Sequence, residues 1–103
     1  MPAYVLVDLE VLDEEDYKEY RAKAPPLVQA HGGRYLVRGG KQTHVEPGWD
    51  LHRTVILEFP SVAAAQAWYQ APDYQAILPI RLRSTRSRMV FLEGLDPHAP
   101  LPS

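Results

Sequence analysis

The stretch HGGRYLVRGG, residues 31–40, decides how the chain divides into helices and strands. Its two glycine pairs follow a helical pattern and flank RYLVR, a short strand-like run at 34–38. Gly32 suits the left-handed position just beyond a helix, and His31 lies in the last turn, where a cation is favoured. A phosphate-binding loop needs glycines that lead into a helix N-terminus, so these glycines indicate backbone geometry rather than a nucleotide site.

The residues before this stretch predict a strand followed by a helix. Residues 3–12 are rich in Val and Leu, which is typical of a strand. From Asp13, the predicted N-cap, apolar residues recur at spacings of three and four, as in an amphipathic helix. Pro25 and Pro26 interrupt this pattern. Because proline lacks a backbone donor, we expect a kink or break near Ala24.

The residues after it complete an α+β domain. The further elements are an excursion with a turn around Pro47 and Gly48 in residues 41–50, a strand at 52–59, a helix at 61–70 that Pro72 breaks, a helical piece at 73–84 and a strand at 87–94. The order β-α-β-β-α-β predicts a ferredoxin-like fold, with a four-stranded antiparallel sheet and helices on one face. We assign this domain to residues 1–96 and a proline-rich tail to residues 97–103.

Composition limits the function classes. The chain has no cysteine, which excludes disulfides, thiolate nucleophiles and thiolate metal ligands. Its net charge of -2 gives no reason to expect nucleic acid or a membrane surface as a partner.

The run RLRSTRSR, residues 81–88, lacks the aromatic motif of RNA-recognition domains, so we interpret it as a solvated helix end running into a strand. The N-terminal run is too short to span a bilayer and lacks a signal-peptide pattern, which predicts a cytoplasmic location.

The first strand has two unlike sides, which predicts a partner for one face of the sheet. The wholly apolar side, which we assign to the helices, consists of Val5, Val7, Leu9 and Val11. The other side combines Leu6 with Asp8 and Glu10. A solvated sheet face is the common alternative, but here it would expose an apolar patch. We therefore predict a homodimer in which two such faces meet.

Several motifs together resemble those of the DUF1330 family of domains of unknown function. They are MPAYVLVDLEV, DYKEYRAKAP, HGGRYLVRGG, VILEFPS, AWYQAPDYQ and the terminal LEG. The resemblance covers about residues 2–95. It implies the dimeric α/β-barrel superfamily, whose ferredoxin-like domains dimerise sheet to sheet with their helices outside. It implies no reaction, because the family has no established one.

Five residues form the candidate site, a pocket between the sheet and the helices. Asp8, as acid or base, and His31, as proton shuttle, are the candidate catalytic residues. Arg38 is the candidate anion clamp, and Tyr20 and Trp68 are the candidate apolar walls that bind a ligand.

Four of these five residues also have a structural interpretation. His31 would bind the carbonyls at the helix end, and Asp8 would pair with arginines across an interface. Arg38 would form an ion pair with Glu10 or Glu58. Trp68 would belong to the core between helices and sheet.

Three function classes stay open. The first is a cofactor-free enzyme acting on a small organic acid, such as the isomerases, decarboxylating enzymes or oxygenases that sister families of the superfamily imply. The second is a non-catalytic small-ligand-binding protein, and the third is a structural or interaction dimer. We predict no cofactor, and no metal, since the four histidines lack the short spacing of a zinc pair. A cleft holding a histidine or carboxylate with a perturbed pKa would favour the enzyme.

Overall fold

The computed structural model describes residues 1–98 and has the predicted α+β, ferredoxin-like architecture. Its elements are β1 (Ala3–Val11), α1 (Glu14–Ala30), β2 (Arg34–Arg38), β3 (Arg53–Phe59), α2 (Val62–Gln70), α3 (Pro72–Ser84) and β4 (Thr85–Glu93). The strands form one antiparallel sheet in the order β2-β3-β1-β4. The second helical region is two helices, because Pro72 begins a new one. Residues 99–103, most of the predicted tail, lie outside the described residues.

The core lies between the helices and one face of the sheet. The apolar side of β1 supplies Val5, Val7 and Leu9 to it, as predicted from the alternation of the strand. From the helices, Trp68 and Tyr74 are fully buried, and their ring centroids are 4.5 Å apart. Burial of large aromatic rings contributes much of the hydrophobic stabilisation of so small a domain.

Of the kink or break predicted near Ala24, the break does not occur, since α1 runs through both prolines. Pro25 has no N–H, so the carbonyl of Arg21, four residues earlier, has no helical donor. Arg38 replaces that donor: its Nη2 donates to the carbonyl oxygen of Arg21 at 2.8 Å. The helix therefore continues because a side chain from β2 satisfies the backbone group that proline leaves free.

The stretch at 31–40 has the predicted geometry. Gly32, just past α1, has a φ of 79°, in the left-handed region that favours glycine. Gly33 is required for another reason, close packing. A Cβ there would lie 2.6 Å from the ring of Phe59 and 2.8 Å from Val28, so only glycine lets α1 and β3 approach this closely.

Between β2 and β3 the chain forms neither helix nor strand, over residues 39–52. The chain bends at 45–48, around the turn predicted at Pro47 and Gly48. The loop leaves β2 at Gly39 and returns to β3 at Arg53, and both of these residues line the cavity described below.

Candidate functional site

A cavity of about 260 Å³ lies between α1 and the helix-facing side of the sheet. Its aromatic lining consists of Tyr17, Tyr20, Tyr35 and Trp68, and its charged lining of Arg21, Arg38, Arg53 and Arg81. No Asp, Glu or His of residues 1–98 lines it. Since every charged group in the wall is a cation, the cavity is electrostatically suited to an anion.

Arg81 is the buried charge of this cavity. Arg81 is only 4% exposed, and its Nη1 donates a hydrogen bond to Ser87 Oγ at 2.6 Å. Its buried Nε has no hydrogen-bond partner, and neither has the nearby indole Nε1 of Trp68 in the same wall. No ion pair within residues 1–98 involves Arg81. A buried guanidinium without a counter-charge costs several kcal/mol, which an anion in the cavity would offset.

The sequence interpretation of RLRSTRSR as solvated is wrong for Arg81. The run does join a helix to a strand, as predicted, because α3 ends at Ser84 and β4 begins at Thr85. Arg81 follows Ile77 by four positions and Tyr74 by seven, and both are buried. This helical spacing places Arg81 on the core face of α3. It is the feature of the sequence from which the burial of Arg81 could have been predicted.

Arg38 lies at the other side of the cavity. Its guanidinium, held by the Arg21 carbonyl, is 5.1 Å from the centroid of the Tyr35 ring. Within the subunit, Arg38 forms neither predicted ion pair, with Glu10 or with Glu58: Arg38 turns toward the helices, whereas Glu58 pairs with Arg34 across the opposite face of the sheet. A β-bulge in β2 sets this orientation, because the register shifts between Tyr35 and Val37.

Protonated phenol groups line the wall between these arginines. The hydroxyls of Tyr20 and Tyr74 are 2.8 Å apart and form a buried hydrogen bond. Burial raises the pKa of Tyr20, and it raises the pKa of Tyr35 to about 12. Both side chains are therefore protonated at neutral pH and can donate hydrogen bonds to oxygen atoms.

The structure brings three of the five predicted site residues together. Tyr20, Arg38 and Trp68 line the cavity. His31 caps the end of α1, where its Nδ1 donates to the carbonyl oxygen of Leu27 at 3.1 Å. Asp8 lies on the other face of the sheet, so the five do not form one constellation. Their functional roles stay predictions.

Asp8 belongs to an ionic cluster on the open face, the sheet surface turned away from the helices. The backbone N–H of His52 donates to Asp8 Oδ1 at 2.8 Å, and the ring Nδ1 lies 3.2 Å from Oδ2. The ring's Nε2 lies 3.2 Å from Glu10 Oε2, and Arg88 Nη2 lies 3.5 Å from Asp8 Oδ2. Sequence analysis missed His52, because only the register of β3 against β1 places it beside Asp8.

The pH dependence of stability should reveal this cluster. Burial opposes ionisation of Asp8, but the hydrogen bonds from His52 and Arg88 outweigh it and hold the pKa of Asp8 below its ordinary value. The folded state therefore binds fewer protons than the unfolded state, and stability is lost as pH falls through the folded pKa. Urea titrations between pH 6 and pH 2 should show a steeper loss of unfolding free energy for wild type than for Asp8→Asn.

Asp50→Asn is the matched control, because Asp50 lies in the exposed loop before β3. It should keep the wild-type dependence on pH. Equal acid slopes for wild type and Asp8→Asn would contradict the assigned pKa direction.

An apolar row also crosses the open face. Leu6 on β1 pairs with Ile56 on one side and with Val90 on the other, and Ile56 pairs with Val37. The row thus receives one residue from each of the four strands. Val90 is 47% exposed, although it is β-branched and apolar. A continuous row of this kind is the feature that a sheet buries against a partner.

Two other kinds of site find no support in the described part of the chain. Within residues 1–98, no group of three or more His, Cys, Asp or Glu side chains could hold a metal ion. Over the same residues, no helix combines the length and the apolar character needed to cross a lipid bilayer.

A family model described as "Domain of unknown function (DUF1330)" matches residues 2–95. No curated protein matches the sequence.

Solved structures share the fold at low sequence identity. A protein of unknown function from Rhodopseudomonas palustris has a TM-score of 0.72 at 23% identity, over 93% of this chain and 84% of that chain. A protein of unknown function from a Jannaschia species, described as dimeric and ferredoxin-like, has a TM-score of 0.63 at 20% identity, over 91% and 100%. SnoaB from Streptomyces nogalater, described as a cofactor-independent oxygenase, has a TM-score of 0.62 at 7% identity, over 96% and 98%. These likenesses establish the fold and no activity.

Proposed function

This chain belongs to the DUF1330 family, and we propose that it binds a small organic acid in the cavity between α1 and the sheet, as a homodimer joined through the open faces of two sheets. One observation carries the ligand class: Arg81 is a buried cation that has neither a counter-charge nor a partner for its Nε–H among residues 1–98. A carboxylate in the cavity beside this guanidinium would neutralise the buried charge.

The remainder of the wall supports an organic rather than an inorganic anion. Apolar side chains from three strands and aromatic rings from α1, α2 and β2 surround the arginines. The volume of about 260 Å³ compares with about 30 Å³ for one water molecule in the liquid, which leaves room for roughly ten non-hydrogen atoms. Apolar walls with a few convergent polar groups are typical of small-molecule sites.

The homodimer is supported by the open face. The row through Leu6 and Val90 would be covered if two copies met face to face about a twofold axis. One compared structure with this fold is described as dimeric. The predicted cytoplasmic location remains a prediction.

A cofactor-free enzyme acting on the same acid is the second candidate. One compared protein is described as a cofactor-independent oxygenase, and the protonated hydroxyls in the cavity could donate to a developing oxyanion. The catalytic roles predicted for Asp8 and His31 belong to this candidate. Binding without catalysis is favoured because no carboxylate or imidazole base within residues 1–98 lines the cavity.

Thermal unfolding with matched acids and amides tests the ligand class. Aromatic and aliphatic carboxylates of up to about ten non-hydrogen atoms should raise the melting temperature by several degrees at saturating concentration, since a ligand at 100 times its Kd stabilises by about 2.7 kcal/mol. The corresponding neutral amides should give no such shift. His31→Ala should keep the shift if His31 only caps α1. Equal shifts for acids and amides, or none for any acid, would overturn the proposal.

Mass spectrometry of the recovered ligand separates the two candidates. An acid returned unchanged after incubation in air supports binding. Conversion that ceases in Asp8→Asn or His31→Ala supports the enzyme and the predicted catalytic pair.

A further inference from the structure

We propose that the ligand is a dianion, with one acidic group at Arg81, a second at Arg38 and an apolar segment between them. The inference rests on the proposed function, because it names the class of acid that the same cavity would take. A single carboxylate at Arg81 leaves the opposite side of the cavity unexplained, and the contacts there point to a second anionic group.

The two guanidiniums enter the cavity from opposite edges of the sheet. Arg81 is anchored over β4 through Ser87, and Arg38 extends from β2. These are the outermost strands of the order β2-β3-β1-β4, so their backbones are roughly 14 Å apart at ~4.8 Å for each strand spacing. Both side chains line the one cavity, so a ligand with an acidic group at each end could contact both guanidiniums.

Charge also favours two acidic groups. Four guanidiniums line the cavity, and within residues 1–98 only Arg53 among them forms an ion pair, with Glu14 at 3.0 Å. One bound carboxylate would leave two of the cations uncompensated. A second acidic group near Arg38, with Arg21 and Arg53 beside it, would bring the charges closer to balance.

Arg38 is held in place before any ligand arrives. The carbonyl of Arg21 is free because Pro25 cannot donate to it, and this carbonyl accepts one N–H of Arg38 at 2.8 Å. The ring of Tyr35 supports the same guanidinium. A guanidinium has five N–H donors, so four remain for a ligand. An arginine fixed in this way loses less conformational freedom when it binds an anion.

Matched pairs of acids test the second group by isothermal titration calorimetry. The pairs are 4-methylbenzoate with terephthalate and hexanoate with adipate. In each pair, the monoacid has a methyl group at the position where the diacid has its second carboxylate. In at least one pair the wild-type protein should bind the diacid about tenfold more tightly than the monoacid. Arg38→Met should reduce this ratio to below about threefold and change the monoacid affinity by less than about twofold.

Arg34→Met is the control, since Arg34 lies on the same strand but pairs with Glu58 on the open face. It should preserve the wild-type ratio. Salt gives a measurement that needs no variant: raising ionic strength should weaken the diacid more than the monoacid. Equal binding of monoacid and diacid in both pairs would overturn the dianion and leave the proposed function standing. If neither member of either pair binds, and no other small carboxylate does, the proposed function itself fails.

Discussion

Arg81→Met should unfold at a higher temperature than the wild-type protein and should no longer bind a small organic acid. The two effects have the same cause. In the free protein, Arg81 is almost completely buried, and the described part of the chain, residues 1–98, supplies neither a counter-charge nor a partner for its Nε–H. Methionine replaces the aliphatic stem of arginine as far as about Nε and carries no charge, so the cost of desolvating the guanidinium disappears, although Ser87 Oγ loses its Arg81 donor. The same change removes the group that would hold the carboxylate.

Both magnitudes are large enough to measure. Replacing buried ionic groups by well-packed apolar side chains is often neutral or stabilises proteins by about 1–4 kcal/mol, and an unpaired buried charge favours the upper part of this range. In a domain of this size, each kcal/mol raises the melting temperature by roughly 4–8 °C. Loss of a buried charge partner costs at least about 2 kcal/mol of binding, which is roughly a 30-fold rise in Kd. Differential scanning calorimetry and titration calorimetry on one preparation give both quantities.

Arg83→Met is the matched control two residues further along α3. Arg83 is exposed and forms two hydrogen bonds with Asp16, at 2.6 and 2.7 Å. A surface pair of this kind contributes about 1 kcal/mol or less, so its loss should lower stability slightly and leave ligand binding unchanged. An Arg81→Met protein that is less stable than wild type would show that Arg81 is already compensated in the free protein.

Arg81 also shows where sequence reasoning was sufficient and where it was not. The order of the elements along the chain could be predicted from the pattern of apolar residues, and the two faces of β1 from the strict period of two in a strand. Arg81 was misassigned because an arginine-rich run suggests solvent, although its helical spacing from Tyr74 and Ile77 indicates burial. The helical period outweighed residue type there, because apolar neighbours on the same face position the helix.

The other errors concern contacts between distant parts of the chain. Continuity of α1 through Pro25 depends on Arg38, which supplies the missing donor from β2. The partner of Asp8 is His52, which reaches it only through the pairing of β3 with β1. Asp8 and His31 were predicted to lie in one pocket between the sheet and the helices. This requires the side chain of Asp8 to lie on the helix side of the sheet. Alternation alone already placed Asp8 on the opposite side from the helices.

Leu6→Lys should convert the proposed homodimer to a monomer. Leu6 is the centre of the apolar row, with Ile56 and Val90 directly beside it on the neighbouring strands. A twofold axis introduces each substitution twice, so two lysine charges would replace apolar contacts in the middle of the interface. Loss of central interface contacts costs about 2–4 kcal/mol each, which predicts a rise in the dimer Kd of roughly a thousandfold or more. Sedimentation at micromolar concentration should give the 11.7 kDa chain mass for the variant and twice that for wild type.

Two further variants keep this test interpretable. Val90→Lys places the same charge at the edge of the row, on a strand where lysine is well tolerated, and should weaken the dimer without impairing folding. Leu82→Lys changes an equally apolar residue that is 59% exposed on α3, and it should remain dimeric. A wild-type protein that sediments as a monomer at high micromolar concentration would overturn the assembly. Because the cavity lies on the helix side of the sheet, the Leu6→Lys monomer should still bind the acid, and a monomer that has lost binding would show that the partner subunit completes the site.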